Sequence, residues 1–270
     1  MEVIALLRQL SEAEGMSGFE GPIRELVRRT WEPFVDEVHE GKLGSLIALK
    51  KGAGPEPRPK LMLAAHMDEI GLMVTGIEEG FLRVTRVGGT DHRVLLGLEV
   101  IVHGRRDLSG VVATRPPHVL PKEEREKNVP WDKIFVDVGL TEDRVNELVS
   151  VGDLISFRRT VSQLKNQRVA GKALDDRACV AAITLALERL TRIEHTCDLF
   201  AVATAQEETG LKGALASAYG IAPDLAIALD ATFAEQSGVD KTGTLPLGGG
   251  PAIALGPNFH PNLVELLKQI

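Results

Sequence analysis

A chain of 270 residues that is 44% hydrophobic can bury one large α/β core, or such a core with a second domain inserted in it, and its 26% charged residues, with no long block of one sign, exclude extended disordered tails. A formal net charge of -7 and an aromatic content of 4% exclude a phosphate-backbone tracker or a base-stacking platform, so nucleic acid is not an expected partner. Two cysteines, Cys179 and Cys197, are too few for a secreted disulfide framework; no apolar run approaches the ~20 residues that span a bilayer, and the apolar start carries Glu2 and Arg8, so a cytoplasmic protein with no membrane partner is expected.

Leu, Ile and Val at helical spacing predict helices over residues 1–15 and 21–30, broken at Gly18 within Met16-Ser-Gly-Phe-Glu20. Gly44-Ser-Leu-Ile-Ala-Leu-Lys50 and Lys60-Leu-Met-Leu-Ala-Ala65 are short apolar runs separated by glycine and proline. They predict the two strands of a hairpin, the second buried on both faces because it scarcely alternates. From Ile70 to about Val161 short β-rich pieces recur between glycines: Leu72–Ile77, Phe81–Val87, Glu99–His103, Gly110–Thr114, Ile134–Val138 and Leu154–Arg158, with one short helix at Thr141–Val149. That texture predicts a small β-barrel or sandwich. After Gln163 a long helix (about Asp176 to Leu190), a buried strand (Leu199–Ala205), a helix near Lys212–Ser217, a buried strand (Leu225–Leu229) and a last helix (Pro261–Gln269) predict an α/β sandwich. The expected architecture is a three-layer α/β sandwich with a mixed sheet, built from residues 1–69 and 162–270 and interrupted by a β-rich barrel domain at 70–161.

Three of the buried strands end in acidic or imidazole residues. Leu61-Met-Leu-Ala-Ala65 leads into His66-Met-Asp68, Phe200-Ala-Val-Ala-Thr-Ala-Gln206 into Glu207-Glu208, and Leu225-Ala-Ile-Ala-Leu229 into Asp230. A fourth acidic pair, Asp175-Asp176, stands where the long helix should start. The carboxyl ends of strands in an open α/β sheet are where ligands bind. Each element alone has a plainer reading: a surface His-x-Asp, a helix N-terminus, a solvated loop, a strand-end turn. Together on one sheet edge they would repel one another unless a cation held them.

Imidazole and carboxylate donors, with no thiolate in place, suit divalent ions, and a carboxylate can bridge two of them. His66 and Asp68, two apart on extended chain, project from one face, so Asp68 can accept the proton on the far ring nitrogen of His66. Glu207 and Glu208, being adjacent, are expected to point in different directions, one toward metal and the other acting as a base. His39, His92, His103, His118 and His195 have no such placement and are read as structural.

The sequence resembles the M42 metallo-aminopeptidases. The matching pieces are Ser17-Gly-Phe-Glu20, Ala65-His-Met-Asp-Glu-Ile-Gly71, Arg115-Pro-Pro-His118 with Glu123-Glu-Arg-Glu-Lys127, Asp137-Val-Gly139, Gly171-Lys-Ala-Leu-Asp-Asp-Arg177, Gln206-Glu-Glu-Thr-Gly210 and Asp230-Ala-Thr232. The resemblance implies a dinuclear zinc peptidase type of fold and two divalent ions, zinc or cobalt. In it Asp175 bridges both ions, His66 and Asp230 complete one, Glu208 binds the other and Glu207 is the general base; Asp68, placed behind His66 by the spacing, is expected to be a second catalytic residue. It also implies short peptides with a free N-terminus as substrates, and a dimer-based homo-oligomer, up to a dodecamer, assembled through the β-rich domain. The family's second ion takes a further histidine from a segment beyond the stretch resembling Gly248–Leu267, and residues 1–270 hold no counterpart. His260 matches a helix start. The second ion is therefore expected to rest on Asp175 and Glu208, and the chain to hold at most one ion tightly. The alternatives to an aminopeptidase are an inactive or weakly active homologue that binds peptides or serves assembly, and a related dinuclear deacetylase or carboxypeptidase. Glycoside hydrolysis needs only two carboxylates and leaves His66 unexplained.

Overall fold

The computed structural model describes residues 2–240 and 242–270; Met1, where the first expected helix begins, and the side chain of Glu124 in the Glu123–Lys127 stretch lie outside the described residues. In chain order the elements are α1 (Val3–Glu12), α2 (Gly21–Trp31), β1 (Glu37–Glu40), β2 (Leu46–Lys50), β3 (Lys60–His66), β4 (Gly71–Glu78), β5 (Phe81–Val87), β6 (Glu99–His103), β7 (Asp107–Ala113), β8 (Phe135–Asp137), α3 (Glu142–Leu148), β9 (Leu154–Phe157), β10 (Ser162–Gln163), β11 (Val169–Ala170), α4 (Leu174–Leu190), β12 (Asp198–Thr204), α5 (Lys212–Ile221), β13 (Leu225–Ala228) and α6 (Pro261–Lys268). The chain divides into two compact units, one ending at Asp230 and one running from Ala231 to Ile270. Among the described residues no helix is long and apolar enough to cross a membrane.

Five strands form a mixed sheet in the order β1-β2-β12-β3-β13, with β12, β3 and β13 parallel and β1 and β2 antiparallel to their neighbours. The expected β2–β3 hairpin is therefore wrong. β12 lies between the two strands and pairs with both. The stretch between β2 and β3 spans the width of a strand, and Gly52 in it donates its N–H to Asp198 at the start of β12. β1 was not expected either: Glu-Val-His-Glu carries one apolar residue, which suits an exposed edge strand.

Side-chain alternation sorts the sheet into two faces. Leu46, Ala48, Ala65, Leu199, Ala201 and Ala203 pack with α1, α2 and α4 on one face. Ile47, Met62, Ala64 and Val202 pack with Ile221 and Ala218 of α5 on the other. This is the expected three-layer sandwich. On the first face Trp31 is fully buried and donates its indole N–H to Thr184 Oγ1 at 2.8 Å, satisfying its one polar atom. Strands β4 to β9 close into a barrel in the order β4-β5-β8-β7-β6-β9, filled by Leu72, Leu82, Val100, Val102, Val112, Val136 and Ile155, with Val145 of α3 in the same cluster. Closure leaves no open sheet edge. In the second unit His260 is the N-cap of α6, its Nδ1 accepting the Leu263 N–H at 3.4 Å, with Pro261 in the first turn, as the sequence places it.

Arg177, in the first turn of α4, is fully buried. Its guanidinium donates to the carbonyls of Met67 (2.9 Å), Leu10 (2.9 Å), Ser11 (3.3 Å), Gly15 (3.3 Å) and Ala13, so it satisfies groups left open where α1 ends and fastens them to the end of β3. Glu69, also buried, faces Arg177 at 3.4 Å and receives Lys172 Nζ on both oxygens at 2.9 Å. Removing one partner of such a buried pair leaves the rest uncompensated, so Arg177→Met is expected to destabilise the fold by ~3–5 kcal/mol. Urea and thermal unfolding of the variant check this; a loss below ~1 kcal/mol, the median for surface pairs, would show the network to be dispensable.

Candidate metal centre

The parallel register brings the expected site residues to one edge. Thr204 of β12 stands beside His66 of β3, and Ala228 of β13 beside Ala64, so two residues further on Asp230 comes level with His66. The Leu229 N–H bonds Ala64 O at 2.8 Å and carries that register past the end of β13. Asp175 and Asp176 arrive from the start of α4, where their backbone is not helical and the peptide between them is cis.

His66, 4% exposed, is the centre of the group. Its Nε2 lies 3.1 Å from Asp175 Oδ1 and 3.9 Å from Glu207 Oε2. Its Nδ1 lies 3.1 Å from the backbone oxygen of Asp68 and 3.5 Å from Asp68 Oδ1. The ring thus turns one nitrogen toward Asp68, as the His-x-Asp spacing predicts, and the other toward the cluster. Asp68 is fully buried and does more: its two carboxylate oxygens accept the N–H groups of Glu207 (3.0 Å) and Glu208 (3.1 Å). Ligand atoms of His66, Asp175 and Asp230 lie within 4.8 Å of one another, and so do those of His66, Glu207 and Glu208.

Glu207 and Glu208 therefore converge on the same imidazole, against the expectation that neighbours point apart. Here the backbone turns, with Gln206 left-handed (φ 56°) and the N–H groups of Gly210 and Leu211 both bonded to Glu207 O. Asp176 was seen in the sequence only as the partner of Asp175. It is fully buried, its Oδ2 accepts the His66 N–H at 3.2 Å, and its Oδ1 has no hydrogen-bond partner. The barrel borders the cluster at Gly88 (φ +77°), where a Cβ would stand 3.2 Å from Glu208 Oε2 and 2.7 Å from Ile70 Cγ2, so only glycine fits there without displacing its neighbours.

The electrostatics test whether these residues suit a cation. Burial alone would lower the His66 pKa, but hydrogen bonds to Asp175 and Asp68 and the charges of Asp68 and Asp176 outweigh it and raise the imidazole to about 11. Burial pushes the Asp176 carboxyl up to about 7, with the Asp230 charge adding to the rise. Burial likewise raises Glu207 and Glu208, which nearby carboxylates push further and His66 pulls back. Without a metal the cluster holds a proton on its imidazole, so a divalent ion there displaces that proton. The donor set and the convergent geometry of His66, Asp175, Asp230, Glu207 and Glu208 fit an ion.

Among the described residues Glu14, which follows α1, gathers donor atoms with His103 and Asp107 of the barrel, and none of the three is buried. There Asp107 Oδ1 meets His103 Nδ1 at 3.0 Å and Ser156 Oγ meets Nε2 at 2.8 Å, in keeping with the structural reading of His103. His195 is similarly placed, with Nδ1 on Cys197 O at 2.8 Å.

The sequence profile of the M42 glutamyl aminopeptidase family matches residues 44–270. A lysyl aminopeptidase of Pyrococcus furiosus is 38% identical over 98% of this chain and 77% of its own length. The crystal structure of a TET aminopeptidase from the marine sediment archaeon Thaumarchaeota archaeon SCGC AB-539-E09 superposes with a TM-score of 0.87 at 36% identity, covering 92% of this chain and 71% of that one. The Pyrococcus horikoshii TET1 peptidase, which can assemble into a tetrahedron or a large octahedral shell, gives a TM-score of 0.77 at 37% identity, covering 87% and 70% of the two chains. With the profile match extending over most of its length, this chain belongs to the M42 glutamyl aminopeptidase family and is a metal-dependent aminopeptidase.

Proposed function

We propose that the chain releases N-terminal residues from short peptides at the His66 cluster. The observation that carries this reading is the convergence of Asp175, Asp230, Glu207 and Glu208 on one buried imidazole. His66, Asp175 and Asp230 would hold one divalent ion, and Asp175 and Glu208 would face a second; zinc or cobalt fits the nitrogen and oxygen donors. When bound, such ions polarise the scissile carbonyl and make a water acidic enough to be the nucleophile. Glu207 then takes a proton at Oε2 and returns it to the leaving amine. Its raised pKa suits both tasks. Asp68 keeps the proton of His66 on Nδ1, leaving Nε2 free to bind.

Further parts of the reading rest on the relatives and on composition. The TET relatives support a homo-oligomer, up to a dodecamer. A dimer as its unit, and residues 70–161 as the inserted assembly domain, are part of the proposal. Free Cys179 and Cys197 support a cytoplasmic location. An inert peptide-binding or assembly role is not what the aminopeptidase relatives support.

Two variants test the roles. Glu207→Gln is expected to lower kcat by ~10²-fold or more with metal content unchanged, as loss of a general base does. Near-normal turnover of the variant on leucine, glutamate and lysine anilides would sink that assignment, and parent enzyme that hydrolyses their N-acetylated forms equally well would count against an aminopeptidase. Asp68→Asn leaves one acceptor oxygen where two N–H groups need one each. Metal affinity, measured by equilibrium dialysis, is expected to fall ~10–100-fold, and an unchanged affinity would show that Asp68 does not orient the site.

A further inference from the structure

The Ser17-Gly-Phe-Glu20 motif takes no part in binding or proton transfer as described above, yet it lies against the segment that does. Glu20 is 3% exposed, an unusual place for a carboxylate unless it is hydrogen-bonded. Its Oε1 accepts the N–H of Gly18 at 2.6 Å and that of Gln206 at 3.0 Å. Ser17, also buried, shares a hydrogen bond with Thr209 between hydroxyls 2.9 Å apart. The two contacts fall on either side of Glu207 and Glu208.

The motif is itself anchored to the strand end that bears His66 and Asp68. The Ser17 N–H bonds Glu69 O at 3.2 Å, the Glu69 N–H bonds Gly15 O at 3.0 Å, and the Arg24 N–H ties Glu20 O into the start of α2 at 2.8 Å. Three consecutive N–H groups, of Gln206, Glu207 and Glu208, are thus taken by two buried carboxylates, Glu20 and Asp68. With Gln206 left-handed, the loop has no regular secondary structure of its own to set the direction of the Glu207 side chain. A displacement of about 1 Å at a reacting group is enough to cost ~10²-fold in rate, so what holds this loop matters to turnover.

We propose that Glu20, assisted by Ser17, is a positioning residue that clamps the Gln206–Gly210 loop and so aims Glu207 at the reacting centre. The inference rests on the reading of Glu207 as the general base. It makes Glu20 act through Glu207, and that dependence is measurable.

The experiment is a double-mutant cycle on the metal-loaded enzyme with an aminoacyl anilide. Glu20→Ala is expected to lower kcat ~10-fold or more with KM changed less than ~3-fold. Glu20→Gln, whose carbonyl oxygen can accept both N–H groups, should keep kcat within ~3-fold of the parent enzyme. In the Glu207→Gln background, Glu20→Ala should cost less than ~3-fold, because there is no base left to aim. No loss from Glu20→Ala, or the same loss in both backgrounds, overturns the inference. A Glu207→Gln enzyme with near-normal turnover sinks the base assignment itself, a separate outcome read from the single variant. Should Glu20→Ala fail to fold, Ser17→Ala carries the same cycle; a loss present only with Glu207 intact supports the clamp, and no loss or equal losses overturn it.

Discussion

The structure depends on an excess of negative charge around one buried imidazole. Asp68, Asp175, Asp176, Glu207, Glu208 and Asp230 all act on or lie against His66, and Asp68 and Asp176 are fully buried. Carboxylates crowded in this way, two of them out of contact with water and the rest partly or largely exposed, repel one another and hold their charge more readily when something positive stands among them. In the absence of a metal the proton on His66 plays that part, which is why its pKa rises so far despite burial. A divalent ion at the same place answers the same demand more completely, so metal dependence follows from electrostatics as well as from family membership.

The scaffold brings those groups together with little freedom left in them. Parallel pairing of β12, β3 and β13 sets His66 and the segments that follow β12 and β13 at one level, and the start of α4 delivers Asp175 and Asp176 from the helical layer. Arg177, the next residue along, is buried and bonded to carbonyls from α1, the α1–α2 connection and the end of β3. The element that supplies two acids to the centre is thus locked by the cation beside them. Stability and site geometry share the same few residues, and at Gly88 the chain leaving the barrel strand β5 passes Glu208 without a side chain.

Much of this could be read from the order of residues, and the reasons are specific. Strands that are buried on both faces, such as β3 and β12, appear as unbroken apolar runs, so the acids at their ends were conspicuous. The barrel strands appeared as short β-rich pieces between turn glycines. What failed were features that depend on partners distant in the chain. β2 and β3 looked like a hairpin because nothing local reveals that β12, ~140 residues later, inserts between them. β1 is polar because it is an exposed edge. The convergence of Glu207 and Glu208 depends on a left-handed Gln206 that its residue type does not announce. Glu20 stood in a recognisable motif, but its bond to Gln206 spans 186 residues and could only be seen folded.

On this structure a catalytic ion belongs on the carboxylate side of His66. Diffraction from crystals soaked in zinc or cobalt, recorded at the metal absorption edge, tests it most directly. An anomalous peak is expected ~2.0–2.2 Å from His66 Nε2 and from oxygens of Asp175 and Asp230. A bare His66 cluster, with the ion found at Glu14, His103 and Asp107 instead, would contradict it.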